Sequence, residues 1–248
     1  MPEVARRERF TLGLTTSLKE FLRQPLQVVL LLALPPLVVE AYGQAMASFP
    51  ALPFMGSMPA TLGRINGAVF AAAFLAGLVG LFQVIAAVEA DERLELAGFG
   101  RLELFARRLG TVLVVSLLAA GTSLAALLWQ VDVAAPLAAY GALALAAGLY
   151  GLLGMLIGVA LPRELEGSLV LVFLADSDDV LASGLANIDA PLTDLTPLHY
   201  PHAIFSAAVT DGSVASGDVT GGLAYLAVLG VAALAVYSVS LGQGGVLS

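Results

Sequence analysis

Apolar residues fall along this chain in long uncharged runs, parted by short polar blocks. Residues 66–88 and 109–129 contain no Lys, Arg, Asp or Glu. A hydrocarbon core of about 30 Å takes about 20 helical residues at a rise of about 1.5 Å each, so both runs read as transmembrane helices. The same pattern predicts an all-α membrane protein with six spans, at 26–46, 66–88, 109–129, 136–161, 164–184 and 221–241. The fifth differs from the rest. Its purely apolar part, 168–175, reaches only about 12 Å as a helix, so the element either continues through Asp176, Asp178 and Asp179 or fails to cross.

The polar blocks are patterned too. Between the second and third runs, 89–108 reads EADERLELAGFGRLELFARR. Leu94, Leu96 and Phe99, then Leu102, Leu104 and Phe105, form two short amphipathic halves broken at Gly98 and Gly100. The block is too polar for lipid and too regular for a plain connector, and it reads as a docking element. Ahead of the first run, Phe10, Leu14, Leu18, Phe21 and Leu22 recur at helical spacing among Arg6, Arg7, Arg9, Lys19 and Arg23. That predicts an interfacial amphipathic helix over 1–24. The first apolar run starts near Pro25, behind this charged segment, so the segment is expected to be retained rather than cleaved. Pro35 and Pro36 interrupt the first span and predict a kink. Glu40, in its outer half, either snorkels to the surface or faces an internal path.

Composition narrows the class. Mean hydropathy is +0.92, and 59% of residues are hydrophobic against 12% charged, more apolar surface than a soluble domain can bury. No cysteine is present, which excludes disulfides and thiolate chemistry. With both termini inside, every Lys and Arg except Arg64 falls on the cytoplasmic side, as the positive-inside rule requires. The Lys- and Arg-free stretch 176–218 is then external, carrying Asp176, Asp178, Asp179, Asp189, Asp194, Asp211 and Asp218 against a net charge of −8. Carboxylates of this density with a single lysine resemble proteins of salt-loving microbes; alternatively, acids sit wherever basic residues are excluded.

Candidate chemistry is sparse. His199 and His202 invite a metal reading with Asp194, but Pro201 stands between them and no third ligand is firm. Anchoring at the outer interface is the expected role of His199, Tyr200 and His202. Gly148, Gly151, Gly154 and Gly158 leave one face of the fourth helix nearly bare, which predicts close helix packing. Asp176 and Asp179 share a helical face at i and i+3 with Asp178 turned aside, and the pair is placed on an outer vestibule; the competing expectation ends the helix near Ala175 with the acids as caps.

The arrangement resembles the membrane subunits of type-2 ATP-binding-cassette (ABC) exporters. The likeness runs from the N-terminal segment through all six spans. It is clearest in Asp91-Glu92-Arg93-Leu94-Glu95-Leu96 with Arg101-Leu102-Glu103-Leu104-Phe105-Ala106-Arg107-Arg108, and in Thr196-Pro197-Leu198-His199-Tyr200, similar to the family's Asn-Pro-Leu-Thr-Tyr. Thr196 and His199 depart from that pattern. The resemblance implies a coupling helix in 89–108, with Glu92, Leu96, Gly98, Phe99, Gly100 and Glu103 contacting an ABC ATPase subunit. It implies short re-entrant helices between spans five and six, within 180–219, with Asp176, Asp179, Pro197, His199, Tyr200 and His202 at the path or gate. A second permease subunit, as homodimer or heterodimer, completes the path.

The chain itself has no phosphate-binding loop: Lys19, its one lysine, is followed by Glu20 rather than Ser or Thr. No cofactor is expected here, and ATP and Mg are placed on the partner. Lipids are the other expected partner, and nucleic acid is not. The rival classes are a membrane-embedded enzyme, for which no nucleophile elbow or metal cluster is evident, and a membrane scaffold without transport activity.

Overall fold

A computed structural model describes residues 25–50, 58–86, 90, 93–94, 98–161, 163–184 and 195–244. The segment 1–24, expected to lie in the membrane interface, falls outside the described residues, as do Asp91, Glu92, Glu95, Leu96, Asp189 and Asp194. Within them the chain is all-helical. In order the helices are α1 (Pro25–Ala47), α2 (Pro59–Ile85), α3 (Arg101–Leu128), α4 (Pro136–Ala160), α5 (Glu164–Ala182), α6 (His199–Thr210) and α7 (Ser216–Gly244). Five of them, α1, α2, α3, α4 and α7, are long and apolar enough to cross a membrane. The chain is thus a multi-pass membrane protein by the length and composition of its helices.

Several boundaries move from those read off the hydropathy. Helix α2 starts at Pro59 and so takes in Arg64, because proline suits the first helical turn, where its missing N–H has no partner to lose. Pro136 opens α4 in the same way. The two amphipathic halves of 89–108 are not equivalent. Gly98 has φ +91°, a conformation that glycine alone adopts freely, and it breaks the chain there. Gly100 has ordinary φ and caps α3, so Arg101–Arg108 forms one continuous 28-residue helix with the third span rather than a separate element. Likewise α1 runs unbroken through Pro35 and Pro36.

The centre of the bundle is the seam between α2 and α4. A Cβ built on Gly154 would fall on the Gly77 carbonyl oxygen, and one on Gly80 would fall on the Gly151 carbonyl oxygen. A Cβ on Gly158 would lie 2.9 Å from the Leu81 carbonyl oxygen. The numbering rises together on both sides, so these helices run parallel with their backbones touching. Gly141, by contrast, has nothing near it. Helix α1 lies antiparallel to α2, with Gly67 against Val38 and Val39, and α5 does too, with Gly167 against Leu81 and Gly77 against Leu171. Ala68, Val69, Ala72, Ala73, Ala146 and Ala147 fill the core between them, fully buried. Small residues let helices approach closely where apolar burial gives no net gain against lipid, so dispersion contacts hold the bundle. Helices α1 and α7 flank it and present exposed apolar side chains such as Leu37, Val228 and Val231.

Candidate functional site

Helix α5 sets up the polar centre of the molecule. Its 19 residues continue through Asp176, Asp178 and Asp179 to Ala182, a length of about 28 Å. The expectation that the helix ends near Ala175 with the acids as caps is therefore wrong. Leu171 and Ala175 give it a narrow apolar face to bury, which carries the carboxylates inward with it. Its carboxylates, at 164, 166, 176, 178 and 179, set it apart from the five apolar helices.

Asp178 is not turned aside. It is 3% exposed; its Oδ2 accepts the Tyr150 hydroxyl at 2.6 Å and the Leu198 backbone N–H at 3.1 Å. Tyr150 lies near the middle of α4 and is fully buried. Leu198 immediately precedes α6, whose first-turn N–H groups have no partner within the helix. A carboxylate there satisfies one donor and opposes the positive end of the helix dipole. Asp178 thereby pins the start of α6 at the middle of α4.

The rest of α6 climbs toward the far end of the bundle. Ala135 N–H donates to the Ala208 carbonyl at 2.9 Å, and Ala134 N–H to Val209 at 3.2 Å, just ahead of α4. At 12 residues α6 is too short to span a bilayer. Pro201 sits in its first turn without breaking it, so His199 and His202 do share one helix, but they do not converge. His202 is 6% exposed; Nε2 donates to Asn66 Oδ1 at 3.1 Å, and Nδ1 accepts from the Ser206 hydroxyl at 3.3 Å. With a carbonyl oxygen at Nε2 and a hydroxyl at Nδ1, a neutral ring satisfies both partners, one nitrogen donating while the other accepts. This corrects the expected outer-interface anchoring: His202 is an internal bracket between α6 and α2. His199 is half-buried and meets Tyr200 edge-on at 5.0 Å. Tyr200 packs on Gly221 and Gly222 of α7, and Pro197 is half-buried in the turn before α6.

The other two aspartates part company. Asp176 is exposed, and the Tyr42 hydroxyl of α1 donates to its Oδ1 at 2.6 Å. Asp179 is 1% exposed and neither of its oxygens has a hydrogen-bond partner. The proposed i, i+3 pair thus has one exposed member and one buried one. Nearer the α6 end of the bundle, Glu40 pairs with Arg64 at 3.4 Å and accepts from Gln44 at 2.9 Å, so it is tied to α2 rather than free.

At the arginine-bearing end, Phe99 is half-buried at the edge of an apolar cluster that includes Leu104, Phe105 and Tyr237, its N–H closing a turn onto the Leu94 carbonyl at 3.0 Å. Glu103 lies in the first turn of α3, where a carboxylate suits the dipole. Arg101 Nη1 donates to the Ser238 carbonyl of α7 at 3.0 Å, and Phe105 packs on Tyr237 at 5.6 Å. Glu92 and Leu96 are not among the described residues.

Tyr42, Asn66 and Tyr150 were the members of this site that reading the sequence did not single out, while Asp178 was named but set aside from the pair. Asn66 alone carried a signal, a lone amide at the edge of an uncharged run. Among the described residues no three His, Asp or Glu side chains gather as a metal-ligand set. No family model matches the chain, and no curated protein matches it.

Proposed function

We propose that this chain is the permease subunit of a type-2 ABC exporter, forming a translocation path whose ATP hydrolysis takes place on a separate subunit. The observation that carries this reading is Asp176. It stands exposed on α5 among Phe173, 72% exposed, and Val180, and it is bonded to Tyr42 near the level of the buried Tyr150. A carboxylate on an otherwise apolar face costs several kcal/mol, about 3 on insertion scales, if that face meets lipid. Facing water or a second subunit removes the cost. The α1–α5 face is therefore assigned to the path, with a second permease subunit completing it.

In this reading α5 crosses as a sixth span and α6 is a re-entrant helix, pinned at depth by Asp178 and opening outward to Thr210. Both termini and 89–108 are cytoplasmic, and the ATPase, with its ATP and Mg, docks there through Gly98, Phe99 and Glu103. A membrane enzyme gains nothing from this geometry, since Asp178 is committed to helix capping and Asp179 is sealed from any substrate.

Two measurements test it. Because the chain has no cysteine, single cysteines placed at 98 and 211 can be labelled with an impermeant reagent in intact cells. Position 211 should label and 98 should not; the reverse pattern overturns the orientation. Co-expression with an ABC ATPase subunit from the same genome should yield a stable complex whose ATPase activity depends on this chain. Phe99→Ala should weaken that association by about 2 kcal/mol, as loss of an aromatic anchor does. A chain that assembles with no ATPase leaves the scaffold class.

A further inference from the structure

Asp178 and Asp179 are neighbours in sequence and alike in burial, yet their surroundings are opposite. Asp178 has a tyrosine hydroxyl, a backbone N–H and the positive end of α6 to hold a negative charge. Asp179 has none of these, and both its oxygens are buried without a donor. The ionisable groups around it offer no relief. Its own helix supplies Asp176 and Asp178; α1 supplies Tyr42 and α4 supplies Tyr150. From α6, His199 acts on Asp178, and His202 is turned to Asn66. From α7, Tyr225 lies in the field of Asp178, and from α2, Arg64 is engaged with Glu40. An ionised carboxylate sealed among apolar side chains and like charges, with no donor, is far too costly to persist. A carboxyl group solves this by binding a proton, whereas a metal ion needs several converging ligands, and no three His, Asp or Glu side chains provide them among the described residues.

We propose that Asp179 is a proton-binding site in the centre of the bundle, neutral beside an anionic Asp178, and that it exchanges its proton with the path through Asp176. Tyr42 lies in the field of both Asp176 and Asp179 and already donates to the former, which makes Asp176 the nearest wet carboxylate on the same helical face. The transfer is a simple exchange: the Asp179 O–H bond breaks as an O–H bond forms on Asp176, the negative charge passes transiently to Asp179, and return of a proton from Asp176 restores the neutral acid. The proton site stands whether or not the chain carries cargo; only the exit through Asp176 rests on the aqueous path proposed above.

Infrared spectroscopy of the full chain in lipid nanodiscs, carrying carboxyl-13C aspartate, tests both parts. The wild type at neutral pH should show a protonated-carboxyl C=O band that shifts with the 13C label and moves in D2O. The band should be lost in Asp179→Asn, which keeps the shape of the neutral acid, and kept in Asp176→Asn. Its absence from the wild type, or its survival in Asp179→Asn, overturns the site. Should Asp179→Asn not fold, Asp179→Glu decides: the band must persist while losing its aspartate isotope shift, and a retained shift refutes the assignment. Deuterium exchange at the band should slow in Asp176→Asn; an unchanged rate overturns the exit route and leaves the site itself standing.

Discussion

The α2–α4 seam and the α5–α6 junction lie side by side at similar depth, and they are built from opposite materials. At the seam Gly77, Gly80, Gly151 and Gly154 bring bare backbone against backbone, with no charge and no side chain to rearrange. At the junction Asp178, Tyr150 and the Leu198 N–H hold two helices together by directed polar contacts. Packing of the first kind has one arrangement. A hydrogen-bonded capping contact of the second kind can be made or broken by moving a single helix end. The contrast separates a fixed axis from the part of the molecule able to move.

Breaking the seam should have the largest effect. Gly154→Val places branched carbons where the Gly77 carbonyl stands, and overpacking of that kind costs about 3 kcal/mol. Loss of the monodisperse folded species in detergent, read by size-exclusion chromatography, is the expected outcome; a variant as stable as the wild type would show that the seam yields.

Asp178→Ala should come next. It leaves the Leu198 N–H buried without an acceptor and the Tyr150 hydroxyl with only its longer contact to the Leu174 carbonyl at 3.3 Å, a cost of about 2 kcal/mol. Its thermal midpoint should fall, and a cysteine at 203 on α6 should label faster, because the helix start is no longer pinned. Unchanged labelling with a lowered midpoint would place the whole effect in Tyr150. The smallest effect belongs to Tyr42→Phe, which removes a hydrogen bond made at an exposed carboxylate, about 0.5 kcal/mol. Its melting should match the wild type closely, and a large drop would mean that Asp176 is drier than its exposure indicates.

The two regions also differ in how much of them the sequence discloses. Glycines 151, 154 and 158 recur at helical spacing, so a bare face on the fourth helix follows from local order. What lies against it, Gly77 and Gly80, follows only from the fold. At the junction the partners of Asp178 come from residues 150 and 198, and no periodicity within α5 distinguishes a buried Asp178 from an exposed Asp176. A tyrosine inside an apolar run reads as ordinary core, so Tyr150 drew no attention. The start of α3 was misplaced for a physical reason as well. Charged residues mark the edge of an apolar run, but helical hydrogen bonding continues through them, and hydropathy reports the solvent rather than the backbone.

That continuity has a mechanical meaning. From Arg101 to Leu128 no break interrupts α3, so the residues beside the Gly98 turn and those at the opposite end belong to one stiff rod about 42 Å long. Arg101 and Phe105 fasten its base to Ser238 and Tyr237 of α7, and the turn at Gly98 lies just ahead of it. A displacement applied at the turn would therefore tilt two rods together and carry to the far end of the molecule.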